Sequence, residues 1–199
     1  MDIDWIVRAV AEKIFVEVEA SGRHVHVPKE QALTLFGHDL TPVRELSQPG
    51  QYLAKERVTV LGPKGEFRNV AVLGPARKAA QVEISLTDGR ALGIDPPVRL
   101  SGRVEGSPGA VLVGSNGQIT LNEGVICAQR HIHMTPEDAA RMGLRDKQVV
   151  KLQVFTQRPL VFQDVSVRVS EKFATFVHLD YDEANACGMA PGDLGRILP

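Results

Sequence analysis

The sequence predicts a mainly β chain, of barrel or sandwich architecture, laid down as two related halves. Two observations carry that expectation. Short apolar runs recur at about 8–12-residue spacing between turns rich in glycine and proline. A histidine motif near the N-terminus, Arg23-His24-Val25-His26, returns 107 residues later (24 to 131) as Arg130-His131-Ile132-His133, an offset of about half the 199-residue chain. Aligned without a gap, both copies continue to a glutamate (Glu30, Glu137) and then an alanine (Ala32, Ala139) at matching positions.

Taken in order, Ile3, Ile6, Val7 and Val10 recur at helical spacing beside Trp5, with acidic Asp2 and Asp4 in the first turn, so residues 1–12 are expected to form an amphipathic helix. From Ile14 to Ala20 apolar and other residues alternate, the pattern of a strand leading to the first histidine motif. Pro28 to Phe36 reads as a helix stopped by Gly37. A Pro49-Gly50 turn precedes a hairpin made of Arg57–Leu61, the turn Gly62-Pro63-Lys64-Gly65, and Phe67–Val72. Further strands are expected at Gln81–Ser85, Val98–Val104, Val111–Val113, Ile119–Leu121 and Val125–Ala128. Thr135-Pro136-Glu137-Asp138 combines an N-cap, a proline at the first helical position and two first-turn carboxylates, and so starts a helix directly after the second motif. Strands at Gln148–Phe155, Leu160–Val169 and Thr175–Leu179 follow, then a helix capped by Asp180 and ended by Gly188.

Composition narrows the function classes. With 43% hydrophobic residues the chain can bury a sizeable core, and a net charge of −1 offers no basic patch for nucleic acid or an acidic membrane. Cys127 and Cys187 are too few for a disulfide framework and lack CxxC spacing, so a reducing, cytoplasmic compartment is expected. No apolar stretch of about 18 residues and no signal peptide is present, which predicts neither a membrane span nor export.

The chemistry centres on the histidines. On a strand, side chains alternate with period 2, so the imidazoles of each His-x-His project from one face as a two-pronged metal claw. A lone His-x-His is commonplace. Here, however, four of the six histidines sit in the claws, His178 follows another strand-like run in Val177-His178-Leu179-Asp180, and only His38 stands apart. That concentration is hard to assign to core packing, and imidazole donors favour zinc. Glu83, the only charged residue of Gln81-Val82-Glu83-Ile84-Ser85, is the most suggestive carboxylate, with a solvent-facing strand residue as the plain alternative. Arg77 and Lys78 follow the Gly74-Pro75 turn and can offer cations to an anion, although surface Arg-Lys pairs are ordinary. Ser107 lacks a G-x-S-x-G setting and reads as a turn residue, and Cys127 on an apolar strand reads as a small buried hydrophobe ahead of a ligand or nucleophile.

Several linked phrases together resemble one family: Arg-His-Val-His at 23–26, Leu-Ser-Gln-Pro-Gly-Gln at 46–51, Gly-Pro-Ala-Arg-Lys at 74–78, Gln-Val-Glu-Ile-Ser at 81–85, Gly-Val-Ile-Cys-Ala-Gln-Arg-His-Ile-His-Met at 124–134 and His-Leu-Asp-Tyr-Asp-Glu-Ala-Asn-Ala at 178–186. Nearly end to end, the chain resembles the phosphate propanoyltransferases, zinc-dependent phosphotransacylases of propanediol-degrading bacterial microcompartments. The resemblance implies two closed β-barrels capped by short α-helices and pseudo-duplicated. Residues 13–22 with 129–199 would form one barrel and 23–128 the other, after the helix over 1–12, which in such proteins can be an encapsulation peptide. It also implies two zinc ions per chain, one held by His24, His26 and Glu83, the other by His131, His133 and His178, with Arg77 on the phosphate. Departures are mild: Asp180-Tyr181-Asp182 stands where relatives often read Asp-Thr-Asp, and Cys127 where valine or alanine is usual.

The implied reaction is exchange between acyl-CoA plus phosphate and acyl phosphate plus coenzyme A, with a propanoyl or acetyl group. Two metals with three protein ligands each keep open positions for phosphate, and direct attack by phosphate needs no side-chain nucleophile, with an acyl-Cys127 route as the variant. The expected partners are acyl-CoA or CoA and phosphate, further copies of the chain, and microcompartment shell or cargo proteins; nucleic acid and membrane are not among them. Two rivals differ in class. A dinuclear zinc hydrolase would use metal-bound hydroxide, but the first claw lacks the Asp-His that follows it in metallo-β-lactamase-like enzymes, and short strands cannot build a (β/α)₈ barrel. A zinc-stabilised, non-catalytic scaffold would close each site with four ligands, commonly cysteines.

Overall fold

The computed structural model describes residues 14–198 together with Ile3 and Val10. The helix expected over 1–12 therefore lies outside the described residues apart from those two positions. The chain divides into two compact units, one of them Gly22–Ala128 and the other the chain up to Ser21 joined with Gln129–Pro199.

The split unit opens with β1 (Phe15–Ser21). The central unit then runs through β2 (His24–His26), α1 (Lys29–Phe36), β3 (Pro42–Glu45), β4 (Tyr52–Leu61), β5 (Glu66–Gly74), β6 (Gln81–Glu83), α2 (Leu86–Leu92), β7 (Val98–Arg99), β8 (Ala110–Val113), β9 (Gln118–Leu121) and β10 (Val125–Ala128). The split unit resumes with β11 (His131–Met134), α3 (Pro136–Met142), β12 (Val149–Phe155), β13 (Val161–Val169), β14 (Phe176–Asp180), α4 (Tyr181–Cys187) and β15 (Leu194–Leu198).

Period-2 alternation builds the split unit. Along β12, Val150, Leu152 and Val154 are buried while Val149, Lys151 and Phe155 are exposed. Together with Val16, Val18, Ile132, Met134, Val165, Val167, Val177 and Leu179 these inward residues form one apolar core. The strands close into a six-membered barrel in the order β1-β14-β11-β13-β12-β15, and β15 pairs with β1 to complete the ring. Closure leaves no edge strand to solvate.

The central unit has its own core, including Val25, Val27, Leu35, Val58, Val60, Val72, Val82, Leu92, Leu112 and Val125. Its sheet runs β7-β10-β6-β2-β5-β4-β8-β9, with β3 beside β4. The same pairing types recur in both units. The claw strand lies parallel to one hairpin strand (β2 to β5, β11 to β13) and antiparallel to a second partner (β2 to β6, β11 to β14). The mainly β, pseudo-duplicated plan expected from the sequence is therefore present, with closure complete in the split unit and partial in the central one, whose sheet path stays open as a half-barrel.

Some elements depart from the local reading. β4 starts at Tyr52 rather than Arg57, because Glu56 occupies an inward position, 8% exposed, and its carboxylate accepts from the Thr41 N–H at 3.0 Å. A buried charge thus hides the period. The seven-residue α2 carries no apolar stripe and includes Gly89, where a Cβ would stand 2.8 Å from the Ile94 carbonyl oxygen. β3 and β15 were not expected, and the strand expected over Val98–Val104 shrinks to Val98–Arg99 before a turn that passes through Gly102 at φ 94°. β7 and β15 are set by pairing with distant strands, β10 for the first and β1 and β12 for the second, rather than by local composition.

Leu152 is fully buried at the centre of the barrel core. Leu152→Ala is expected to lower the unfolding free energy by about 2–5 kcal/mol through lost transfer energy and an unfilled cavity. Denaturant unfolding with unchanged m-value checks it; a loss below about 1 kcal/mol would mean that the barrel collapses onto the gap.

Candidate functional site

Both claws arise from the same local rule. On β2 and β11 the aliphatic residues join the apolar cores, Val25 in one and Ile132 with Met134 in the other, so alternation sends the imidazoles to the opposite face. That face is also covered: His24, His26, His131 and His133 are all at most 8% exposed. Buried imidazoles need partners.

The cross-strand register supplies the third member of each set. His24 lies directly opposite Glu83 in the antiparallel β2–β6 pair, and His131 lies directly opposite His178 in the β11–β14 pair. Within each triad, His24–His26–Glu83 and His131–His133–His178, the candidate ligand atoms all lie within 4.8 Å of one another. The sequence-proposed residues of each triad are thus brought together, each set inside its own unit.

Hydrogen bonds fix the rings. The His24 Nδ1–H donates to the Gly22 carbonyl at 2.8 Å, and the His131 Nδ1–H donates to the Gln129 carbonyl at the same distance. His26 Nδ1 lies 3.2 Å from the Leu73 carbonyl, and His178 Nδ1 faces the Glu19 carboxylate at 3.8 Å. A carbonyl can only accept, so the Nδ1 of His24, His26 and His131 carries a proton and Nε2 is the nitrogen that can bind a cation once it is unprotonated. Phe173 stacks on His133 with ring centroids 4.1 Å apart.

The central triad carries the charge. Burial alone would push the Glu83 pKa up, yet His24, His26 and the Ser101 hydroxyl outweigh it and hold this carboxyl far below the usual carboxylate range. Burial pulls His24 down, and Glu83, with its Nε2 contact at 3.5 Å, reverses that to a net rise. His26 is held well below its ordinary value by burial and by the neighbouring cations His24 and Arg77. The central triad therefore favours the charged forms of His24 and Glu83 and the neutral form of His26.

Around Glu83 lies a network that composition did not reveal. The Ser101 hydroxyl donates to Glu83 Oε1 at 2.9 Å and accepts from Gln81 Nε2 at 2.8 Å and from Arg77 Nη1 at 3.2 Å. Gln81 also donates to Glu83 and accepts from the Gly102 N–H at 2.7 Å. Every donor and acceptor of Ser101 is thus used. Gln81 had a signal, since it sits two residues before Glu83 on a strand and so shares its face; Ser101, 18 residues on, had none. Arg77 is half-buried, and its N–H donates to the Val27 carbonyl at 3.0 Å, whereas Lys78 is exposed. Arg130, the arginine before the second claw, donates to Glu183 and to the Gln163 carbonyl. Cys127 is 1% exposed on β10 and belongs to neither triad. Ser107 accepts from the Gly124 N–H at 2.9 Å and donates to the Val104 carbonyl at 2.7 Å, the work of a turn residue.

Comparison with known proteins gives a consistent result. The family model described as phosphate propanoyltransferase matches residues 17–190. A phosphate propanoyltransferase of Thermotoga maritima is 56% identical over 91% of this chain and 88% of its own length. One from Enterococcus faecalis is 55% identical, covering 92% of this chain and 87% of the relative, and one from Clostridioides difficile is 50% identical over 98% and 95%.

Removing the Ser101 hydroxyl withdraws a donor from a buried carboxylate. Ser101→Ala is expected to destabilise the protein by about 1–3 kcal/mol, while Lys78→Ala, on an exposed side chain, should stay within about 0.5 kcal/mol of wild type. Equal, negligible effects in denaturant unfolding would show that water replaces the hydroxyl at no cost.

Proposed function

Because the chain belongs to the phosphate propanoyltransferase family and is an acyltransferase, we propose that it interconverts acyl-CoA plus phosphate with acyl phosphate plus coenzyme A, with propanoyl as the acyl group, at two zinc sites. The observation that carries the zinc assignment is the pair of buried triads whose ligand atoms converge within 4.8 Å. Their donors suit zinc: two imidazoles and a carboxylate in one, three imidazoles in the other, with Nε2 left as the cation-binding nitrogen of His24, His26 and His131 by their Nδ1 bonds to backbone. Three protein donors leave a coordination position open, which favours a catalytic reading over a structural scaffold.

Bound zinc would supply Lewis-acid polarisation and neutralise the charge of phosphate. Arg77, whose charge already acts on His24 and His26, offers phosphate a planar two-pronged donor. Ser101 restrains the guanidinium through Nη1. A phosphate oxygen forms the new bond to the thioester carbonyl carbon, the C–S bond breaks, and the coenzyme A thiolate leaves to take a proton from water. Positioning and charge dispersal carry this reaction without a side-chain nucleophile. The burial of Cys127 supports direct attack over an acyl-cysteine route.

Arg77→Ala tests the phosphate assignment. Zinc by elemental analysis should stay at two per chain, while acyl phosphate formation falls roughly 10²–10³-fold, the scale of removing one preorganised charge-stabilising group. Near-normal transfer with full zinc would place phosphate elsewhere. Thioester hydrolysis in the absence of phosphate, at the rate of the transfer, would favour the hydrolase. Wild-type protein active without zinc would end the metal reading.

The central triad also sets a pH dependence. His24 is raised above its ordinary value, His26 stays neutral and Glu83 stays ionised, so zinc displaces one proton, the one on His24. Below the His24 pKa the zinc affinity of this triad should fall by about tenfold per pH unit as protons compete. Chelator competition across the acid range reads the slope; a slope near zero or two would contradict the single-proton assignment.

A further inference from the structure

The arginine that precedes the first histidine of each claw binds a helix-capping carboxylate in both units, with two nitrogens in the central unit and with one in the split unit, where its Nε donates to the Gln163 carbonyl instead. In the central unit the Arg23 guanidinium grips Asp88 with both prongs, Nε at 3.0 Å and Nη2 at 2.7 Å, and lies 4.1 Å over the Phe67 ring. In the split unit Arg130 donates through Nη1 to Glu183 and lies 5.9 Å over the Phe162 ring. Phe67 and Phe162 are each the second residue of the strand parallel to the claw, β5 and β13.

The two carboxylates also hold matching places. Asp88 and Glu183 are each the N3 residue of a capping box, closed on Ser85 and on Asp180 respectively. Each box begins two residues after the third triad member, Ser85 after Glu83 and Asp180 after His178. The arginine side chain therefore links the strand of the first triad member to the helix that continues the strand of the third. Its backbone lies between the first histidine and the residue whose carbonyl takes that histidine's Nδ1–H, Gly22 or Gln129. Residue types differ between the two copies, Asp with a Ser cap against Glu with an Asp cap, while the link is kept.

We propose that Arg23–Asp88 and Arg130–Glu183 are positioning pairs that hold the first and third donors of each triad at metal-binding separation. Each pair closes a ring: arginine, first histidine, cross-strand partner, capping box, N3 carboxylate and back to arginine. A guanidinium anchored through two nitrogens, both on Asp88 for Arg23 and on Glu183 and the Gln163 carbonyl for Arg130, fixes the strand spacing next to the donors better than a backbone ladder three residue pairs long. The inference rests on the zinc reading above.

Full-length wild type and the variants Glu183→Gln and Asp88→Asn are titrated with zinc against a chromophoric chelator, and the melting temperature of each metal-free protein is recorded. Glutamine still closes a capping box, so Glu183→Gln removes the charge partner of Arg130 without removing the cap. The expected result is that each single variant weakens one of two zinc equivalents by about 10–100-fold and leaves the other at wild-type affinity, with the double variant weakening both. Metal-free melting should change little. Unchanged zinc affinity in both variants, with or without a lower melting temperature, would reduce the pairs to fold stabilisers and overturn the inference while leaving the zinc reading intact. A wild-type protein that binds no zinc would sink the zinc reading and this inference together. Should Glu183→Gln lower the metal-free melting temperature as well as affinity, Arg130→Lys decides. It keeps the capping box and the charge but loses the fork, so wild-type affinity in that variant overturns the inference and weakened affinity supports it.

Discussion

The rest of the structure depends on strand register. A β-strand has two faces, and on β2 and β11 one face is committed to an apolar core through Val25, Ile132 and Met134. The histidines are thereby forced to the other face, and the antiparallel partner decides what they meet. His24 meets Glu83 and His131 meets His178 because β6 and β14 pair in that register and no other. A slip of one residue would break the face shared by the histidines and their partners and set Val82 or Ile84 against His24, and Val177 or Leu179 against His131.

Both units solve the same problem of keeping polar donors buried and aligned, but with different charge. The central triad contains a carboxylate, and Glu83 raises the His24 pKa across a 3.5 Å contact while Ser101 and Gln81 donate to that carboxylate. The split-unit triad holds three imidazoles at centroid separations of 4.6 to 5.1 Å, with the Glu19 carboxylate behind His178. A divalent cation would keep more net positive charge in the second set than in the first.

The outer residues explain letters of the repeat that carry no donor atoms. Ala32 and Ala139 are buried, at 1% and 4% exposure, where α1 and α3 pack on their sheets, and Glu30 and Glu137 are acidic residues of the first helical turns. Arg23 and Arg130 tie claw to capping box. The repeated segment therefore encodes strand, helix start and latch together.

By itself the sequence determined the mainly β class, the two-part repeat, the helix starts at Thr135 and Asp180, and the histidine claws, because each is written in periods of two or in caps a few residues long. It also singled out Glu83 and His178, as an isolated charge and a histidine on strand-like runs, but only the family resemblance joined them to a claw, since nothing local says which strands pair. Only the tertiary structure decided that Glu83 faces His24, that Ser101 and Gln81 serve Glu83, and that β15 closes the split-unit barrel while the central sheet stays open. The physical reason is that cross-strand register and ring closure depend on contacts between residues tens of positions apart, and local propensity does not encode them.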